Sequence, residues 1–112
     1  REEVTIEIFE RPEISATEVT VCAPDRPGLL SEILGVFYAH DLSVPGIRAS
    51  TTTDSKPIAI DVFQVSRSDR PVPAATMSQV SKDTQAVLLR EKSAFEILIQ
   101  KGKDPNRLLE VD

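Results

Sequence analysis

The side chains of this chain that could act on or hold a small molecule concentrate in one short stretch. Pro24-Asp25-Arg26-Pro27-Gly28 sets an acid and a base between two prolines, and an apolar run follows the glycine. Prolines around an aspartate favour a tight turn in which the carboxylate accepts backbone N–H groups. Asp25 therefore reads first as the N-cap of a helix. Arg26 reads as a solvent-exposed turn residue, and Gly28 as the provider of a tight turn or a close backbone approach. Elsewhere the reactive residues are isolated. His40 is the single histidine, placed where a helix end offers free carbonyls, and no Cys/His cluster or histidine-containing metal spacing accompanies it. Cys22 is the single cysteine, so it has no internal disulfide partner, and its apolar alternating surroundings make it a reduced, packed thiol. With no Ser-His-Asp order and no glycine-rich phosphate loop, catalysis by this chain is not expected, nor is a cofactor or a metal.

These residues need elements to position them. Val4 to Phe9 alternates as a half-buried strand, with Val4, Ile6 and Ile8 on one face. A connection over Glu10 to Ser15 leads to a second strand, Glu18 to Ala23, in which Val19 and Val21 alternate against Thr20 and Cys22. After the Asp25 turn, Leu29, Leu30, Ile33, Leu34, Val36 and Phe37 recur at helical spacing, and this helix ends near His40-Asp41. Val44 to Thr52 and Ile58 to Val65 form a hairpin across the turn-rich Asp54-Ser55-Lys56-Pro57. Thr51 to Thr53 suits a strand end, with a ligand role for one of them as the alternative. Ile58, Ile60 and Val62 share one face of the last strand, which places Asp61 on a solvated one. A helix from Ala74 to Glu91 follows, buried through Met77, Val80, Thr84, Val87 and Leu88. Ser93 and Glu96 stand at capping-box spacing, so Phe95, Leu98 and Ile99 are taken as a third, short helix rather than a strand. The tail after Gly102, with Asp104-Pro105-Asn106, reads as loose.

The order from Glu18 is strand–helix–strand–strand–helix, which lacks one strand of the ferredoxin-like split βαβ arrangement. The N-terminal strand is the candidate for it. The expected fold is therefore α+β, a four-stranded antiparallel sheet with two helices on one face. Its expected divisions are 1–17 for the leading strand and connection, 18–92 for the core, and 93–112 for the last helix and tail. A chain of 112 residues suits one domain, and 40% hydrophobic with 28% charged residues is ordinary for a globular one. Thirteen Lys and Arg against 18 Asp and Glu give a net charge of −5 without basic clusters, so nucleic acid is not an expected partner. No apolar run nears the roughly 18 residues a membrane span needs. A reducing, cytoplasmic setting fits the lone thiol.

From Thr17 to Leu30 the sequence TEVTVCAPDRPGLL resembles the signature of the ACT domain family, and the resemblance continues at Thr51-Thr52-Thr53-Asp54 and at Ile60 to Val65. It covers roughly Glu18 to Arg90. Within the family the chain is most similar to the ACT domains of bifunctional uridylyltransferase/uridylyl-removing enzymes, which modify the PII nitrogen-signal protein. Ser55-Lys56-Pro57, Val62, Gln64 and His40-Asp41-Leu42 depart from that pattern. The resemblance implies a regulatory domain that binds an amino acid, glutamine being the candidate, at the turn between the first core strand and first helix. The implied ligand-binding residues are Asp25, Arg26, Pro27, Gly28, Leu29 and Leu30. The helix N-terminus would face the ligand carboxylate, and Asp25 its ammonium. Neighbouring domains of a parent enzyme, and a homodimer or pseudo-dimer with another ACT domain, are the implied partners.

The competing reading is a dimerisation or interdomain docking module without ligand, working through an apolar open sheet face. Two other functions of the topology fail on the residues. Acylphosphatase chemistry needs an asparagine near a loop arginine, and Asn106, the single asparagine, lies far along the chain from Arg26. RNA binding needs exposed aromatics on the central strands, where Phe63 stands alone.

Overall fold

Alternating β-branched residues produce four strands, and two apolar runs at helical spacing produce the helices that cover them. The computed structural model describes residues 3–104 of the chain. The elements are β1 (Thr5–Arg11), β2 (Ala16–Pro24), α1 (Leu29–Ala39), β3 (Ser43–Thr51), β4 (Ile58–Ser66), α2 (Ala74–Leu88) and α3 (Ala94–Gln100). The strands form one antiparallel sheet in the order β1-β2-β4-β3. β1 fills the edge place beside β2, as expected of the missing strand. A single 3₁₀ turn, Pro12–Ile14, closed by Ser15 at φ 52°, makes that connection.

One face of the sheet carries the helices. Val19, Val21 and Ala23 of β2 and Phe63 and Val65 of β4 pack there against Leu29, Ile33 and Phe37 of α1 and against Met77, Val80 and Leu88 of α2. Phe37 and Phe63 meet edge to face with ring centroids 5.1 Å apart, an arrangement the ring quadrupoles favour. A smaller cluster of Val36, Ala39, Val87, Ile97 and Leu98 fastens α3 to the outer side of the helical layer. With the edge beside β2 occupied, the chain leaving α2 has no free strand position there, and α3 packs on α1 instead.

Several expected orientations are reversed. Asp61 lies in phase with Ala59, Phe63 and Val65 on the helix-bearing face, and it is Ile58, Ile60 and Val62 that face outward. The free face is mixed rather than apolar, since Glu7, Thr20, Val62 and Arg48 share one cross-strand row. Leu30 is 38% exposed at the start of α1. In α3 the inward residues are Ile97 and Leu98, whereas Phe95 and Ile99 point out at 60% and 55% exposure. The helix itself starts as expected, because Ser93 Oγ accepts the Glu96 N–H at 3.0 Å. α2 stops at Leu88, three residues early, where Arg90 turns to φ 63° and the Glu91 N–H bonds back to Ala86. From residue 105 the tail, Asn106 included, lies outside the described residues. Among the described residues no helix is long and apolar enough to cross a membrane.

Candidate functional site

The turn after β2 is built by backbone first. Pro24 pairs with Ile58, and the Asp25 N–H extends that ladder by donating to Pro57 O at 3.0 Å. The chain then reverses at Gly28, whose φ of 82° is the left-handed conformation that side-chain-bearing residues avoid. A Cβ on Gly28 would meet nothing within 4 Å, so the glycine serves the turn and not a close approach. Gly28, not Asp25, is the N-cap of α1, and no side chain caps that helix. Leu29 N–H bonds to Arg26 O and Glu32 N–H to Gly28 O. Between them, the Leu30 and Ser31 amides are first-turn N–H groups of the kind a helix leaves without an intrahelical acceptor.

A cleft of about 250 Å³ opens at this helix start. Of the residues expected from the sequence, Asp25, Arg26, Gly28, Leu29 and Leu30 line it, and Pro27 does not. The floor comes from strands: Ala49 and Thr51 of β3, Ala59 and Asp61 of β4. Ala49 stands opposite Asp61 and Thr51 opposite Ala59, so all four project toward the helices. Their small size is what leaves the space, because one step further along β4 Phe63 fills the same layer. Among the three threonines, Thr51 reaches the cleft, while Thr52 Oγ1 accepts the Ile58 N–H at 2.9 Å and is occupied in closing the hairpin.

Asp61 is the residue the sequence reading left on the solvated face. It is 4% exposed, and its carboxylate oxygens are not among the fully buried unsatisfied atoms, so what exposure it keeps is toward the cleft it lines. Burial raises its pKa above the ordinary carboxylate value, and the nearby Asp25 carboxylate raises it further. Arg26 is half-buried and not a free turn residue. Its guanidinium donates to both Glu32 oxygens, Nη2 to Oε1 at 2.6 Å and Nη1 to Oε2 at 3.0 Å. The site thus combines two carboxylates, one of them desolvated, with helix-start amides and an internally balanced Arg26–Glu32 pair.

A second polar cluster lies at the other end of α1. His40 is buried, with Nε2 2.7 Å from Asp83 Oδ2, and Gln79 Nε2 donates to Asp83 Oδ1 at 3.2 Å. The helix-end carbonyl of His40 is satisfied by Arg67 Nη2 at 2.6 Å, so Arg67 and not the histidine ring performs the expected capping. The ring instead ties α1 to α2. No three His, Cys, Asp or Glu side chains among the described residues converge in a way that would hold a metal ion.

Comparison with known proteins bears on the family of the fold. The family model of the ACT domain matches residues 17–84, which takes in β2 through most of α2 and every residue lining the cleft. A bifunctional uridylyltransferase/uridylyl-removing enzyme of Gluconobacter oxydans (strain 621H) is 38% identical over 65 residues, a stretch covering 58% of this chain and 7% of that enzyme. With the match extending over more than half its length, this chain belongs to the ACT domain family.

Proposed function

We propose that the chain is a non-catalytic regulatory module that senses an amino acid, glutamine being the first candidate, within a larger cytoplasmic uridylyltransferase/uridylyl-removing enzyme. The observation that carries this reading is the cleft at the start of α1, where carboxylates and first-turn helix amides face one space. A zwitterion has matching groups: the amides suit its carboxylate and Asp25 suits its ammonium. The similarity to the Gluconobacter oxydans enzyme supports the choice of parent; glutamine is the ligand that the family resemblance suggests. Sensing further requires that the occupied and empty states differ in how the module packs on its neighbours, since equal affinity for both shifts nothing.

A thermal-shift and calorimetry screen of the chain against the twenty amino acids tests the proposal. A selective rise in melting temperature is expected, and Asp25→Ala is expected to abolish it. No response at millimolar concentration from folded protein would remove the sensing reading. A docking role would then stand in its place, favoured by the exposed Phe95 and Ile99 on α3 and by the two edge strands, β1 and β3, available for pairing with another ACT domain.

A further inference from the structure

Asp61 has no structural task that accounts for its position. The sheet layer beneath the helices is otherwise apolar at that point: Val21 of β2 and Ala49 of β3 flank Asp61, and Phe63 follows it in phase. A valine would satisfy the same β-strand packing without the cost of desolvating a carboxylate. Buried carboxylates are normally hydrogen-bonded or paired; the ion pairs seen among the described residues do not include this one, and its oxygens look onto the cleft instead. Its surroundings also oppose its charge. The charged groups facing it are Asp25 from the β2–α1 turn and, from the same rim, Arg26, whose guanidinium is committed to Glu32. β2 and β3 present no charge opposite it. What Asp61 does have is an opening, because it lines the floor of the cleft at the start of α1.

We propose that Asp61 is a ligand-binding residue whose buried carboxylate, together with Asp25, selects molecules that carry an ammonium group. This rests on the amino-acid reading of the cleft and names the feature of the ligand that the site inspects. An ammonium between the two carboxylates supplies Asp61 with hydrogen-bond donors and removes the repulsion between Asp61 and Asp25. A neutral or anionic molecule of the same shape does neither. The selectivity comes from the empty site as much as from the filled one, since a ligand without the donor leaves the desolvated group unpaired. Because Asp61 holds its proton more tightly than an ordinary carboxylate, capture of the ammonium is coupled to release of that proton. Affinity therefore rises with pH through the range in which the empty-site carboxyl ionises.

The test is calorimetric titration of the chain with L-glutamine and with glutaramate, the same molecule without its α-ammonium, between about pH 4 and 7. Wild type is expected to prefer glutamine by tenfold or more and to bind it more tightly as the pH rises. Asp61→Asn keeps the size of the side chain and is expected to cut that preference to within about threefold and flatten the pH profile. Gln85→Ala, an exposed change on α2 outside the cleft, is expected to retain both preference and profile. Unchanged preference in Asp61→Asn would overturn the role of Asp61 while leaving amino-acid sensing intact. Absence of binding by all twenty amino acids would remove both readings together.

Discussion

A carboxylate largely withdrawn from water and set beside another carboxylate destabilises the folded chain in its ionised form, and Asp61, beside Asp25, is in that position. Its pKa is raised on folding, so the folded chain holds the Asp61 proton more tightly than the unfolded chain does. Stability contributed by this group is present at low pH and is lost as the pH rises from the unfolded to the folded pKa. Asp61→Asn is accordingly expected to raise the melting temperature at pH 7. The advantage should shrink as the pH falls through the carboxylate range, which thermal scans at a series of pH values would follow. A lower melting temperature for the variant at pH 7 would mean that the carboxylate is stabilised in the folded chain after all. At this scale the sequence showed that a turn and a helix start follow Pro24, but it gave the cap to Asp25 where Gly28 holds it, and it was misleading for charged residues under cover. Asp83 is three residues after Val80 and four before Val87, which is the buried stripe of α2, yet its residue type argued for solvent. Its partner His40 comes from a helix 43 positions away, a distance local patterning does not span.

At the scale of elements, residue types gave the existence of each strand and helix, and phase was where reading by pattern reached its end. β4 is apolar on both faces, so the trio Ile58, Ile60 and Val62 outweighed Ala59, Phe63 and Val65, although Gln64 lies in the outward phase. α3 is seven residues long, which is too short for periodicity to choose among Phe95, Ile97, Leu98 and Ile99. Glycines are easier to place once the backbone is known. Gly28→Ala is expected to cost about 1 to 2 kcal/mol, because φ 82° is strained for any L-residue even in open space. Gly46→Ala should be far milder, since its new Cβ would meet only the far end of the Gln64 side chain, at 3.0 Å. Urea unfolding of the two variants measures the contrast, and equal losses would mean that the Gly28 turn relaxes into an ordinary conformation.

For the whole molecule the decisive feature is which strand completes the sheet. The ACT match begins at residue 17, and the strand beside β2 lies before it. A chain starting at residue 17 would keep the candidate site but expose the β2 edge along Thr17 to Cys22, and would lose the cover of Val4 and Ile6 over the core. Such a truncation is expected to lose cooperative thermal unfolding and to associate in solution, as sheets with an open apolar edge do. Circular dichroism and light scattering report these two outcomes, and a monomeric, cooperatively unfolding truncation would show that β1 is dispensable. The fold class was legible because one missing strand and one surplus strand left a single economical match. The cleft was legible only on its helix side, since its floor is assembled by β3 and β4 through pairings that sequence order does not display.

The pairing of β1 with β2 also bears on how the chain reaches this structure. Its register runs from Arg11 opposite Ala16 to Thr5 opposite Cys22, so every contact in it joins residues close along the chain. An edge strand supplied from beyond α2 would instead require closing a loop through most of the domain, at a higher entropic cost. Here that edge forms as a local hairpin, which lowers the contact order of the sheet. The slow closure left to the chain is the meeting of β2 with β4 across α1, and the transition state for folding is expected to be organised around that junction.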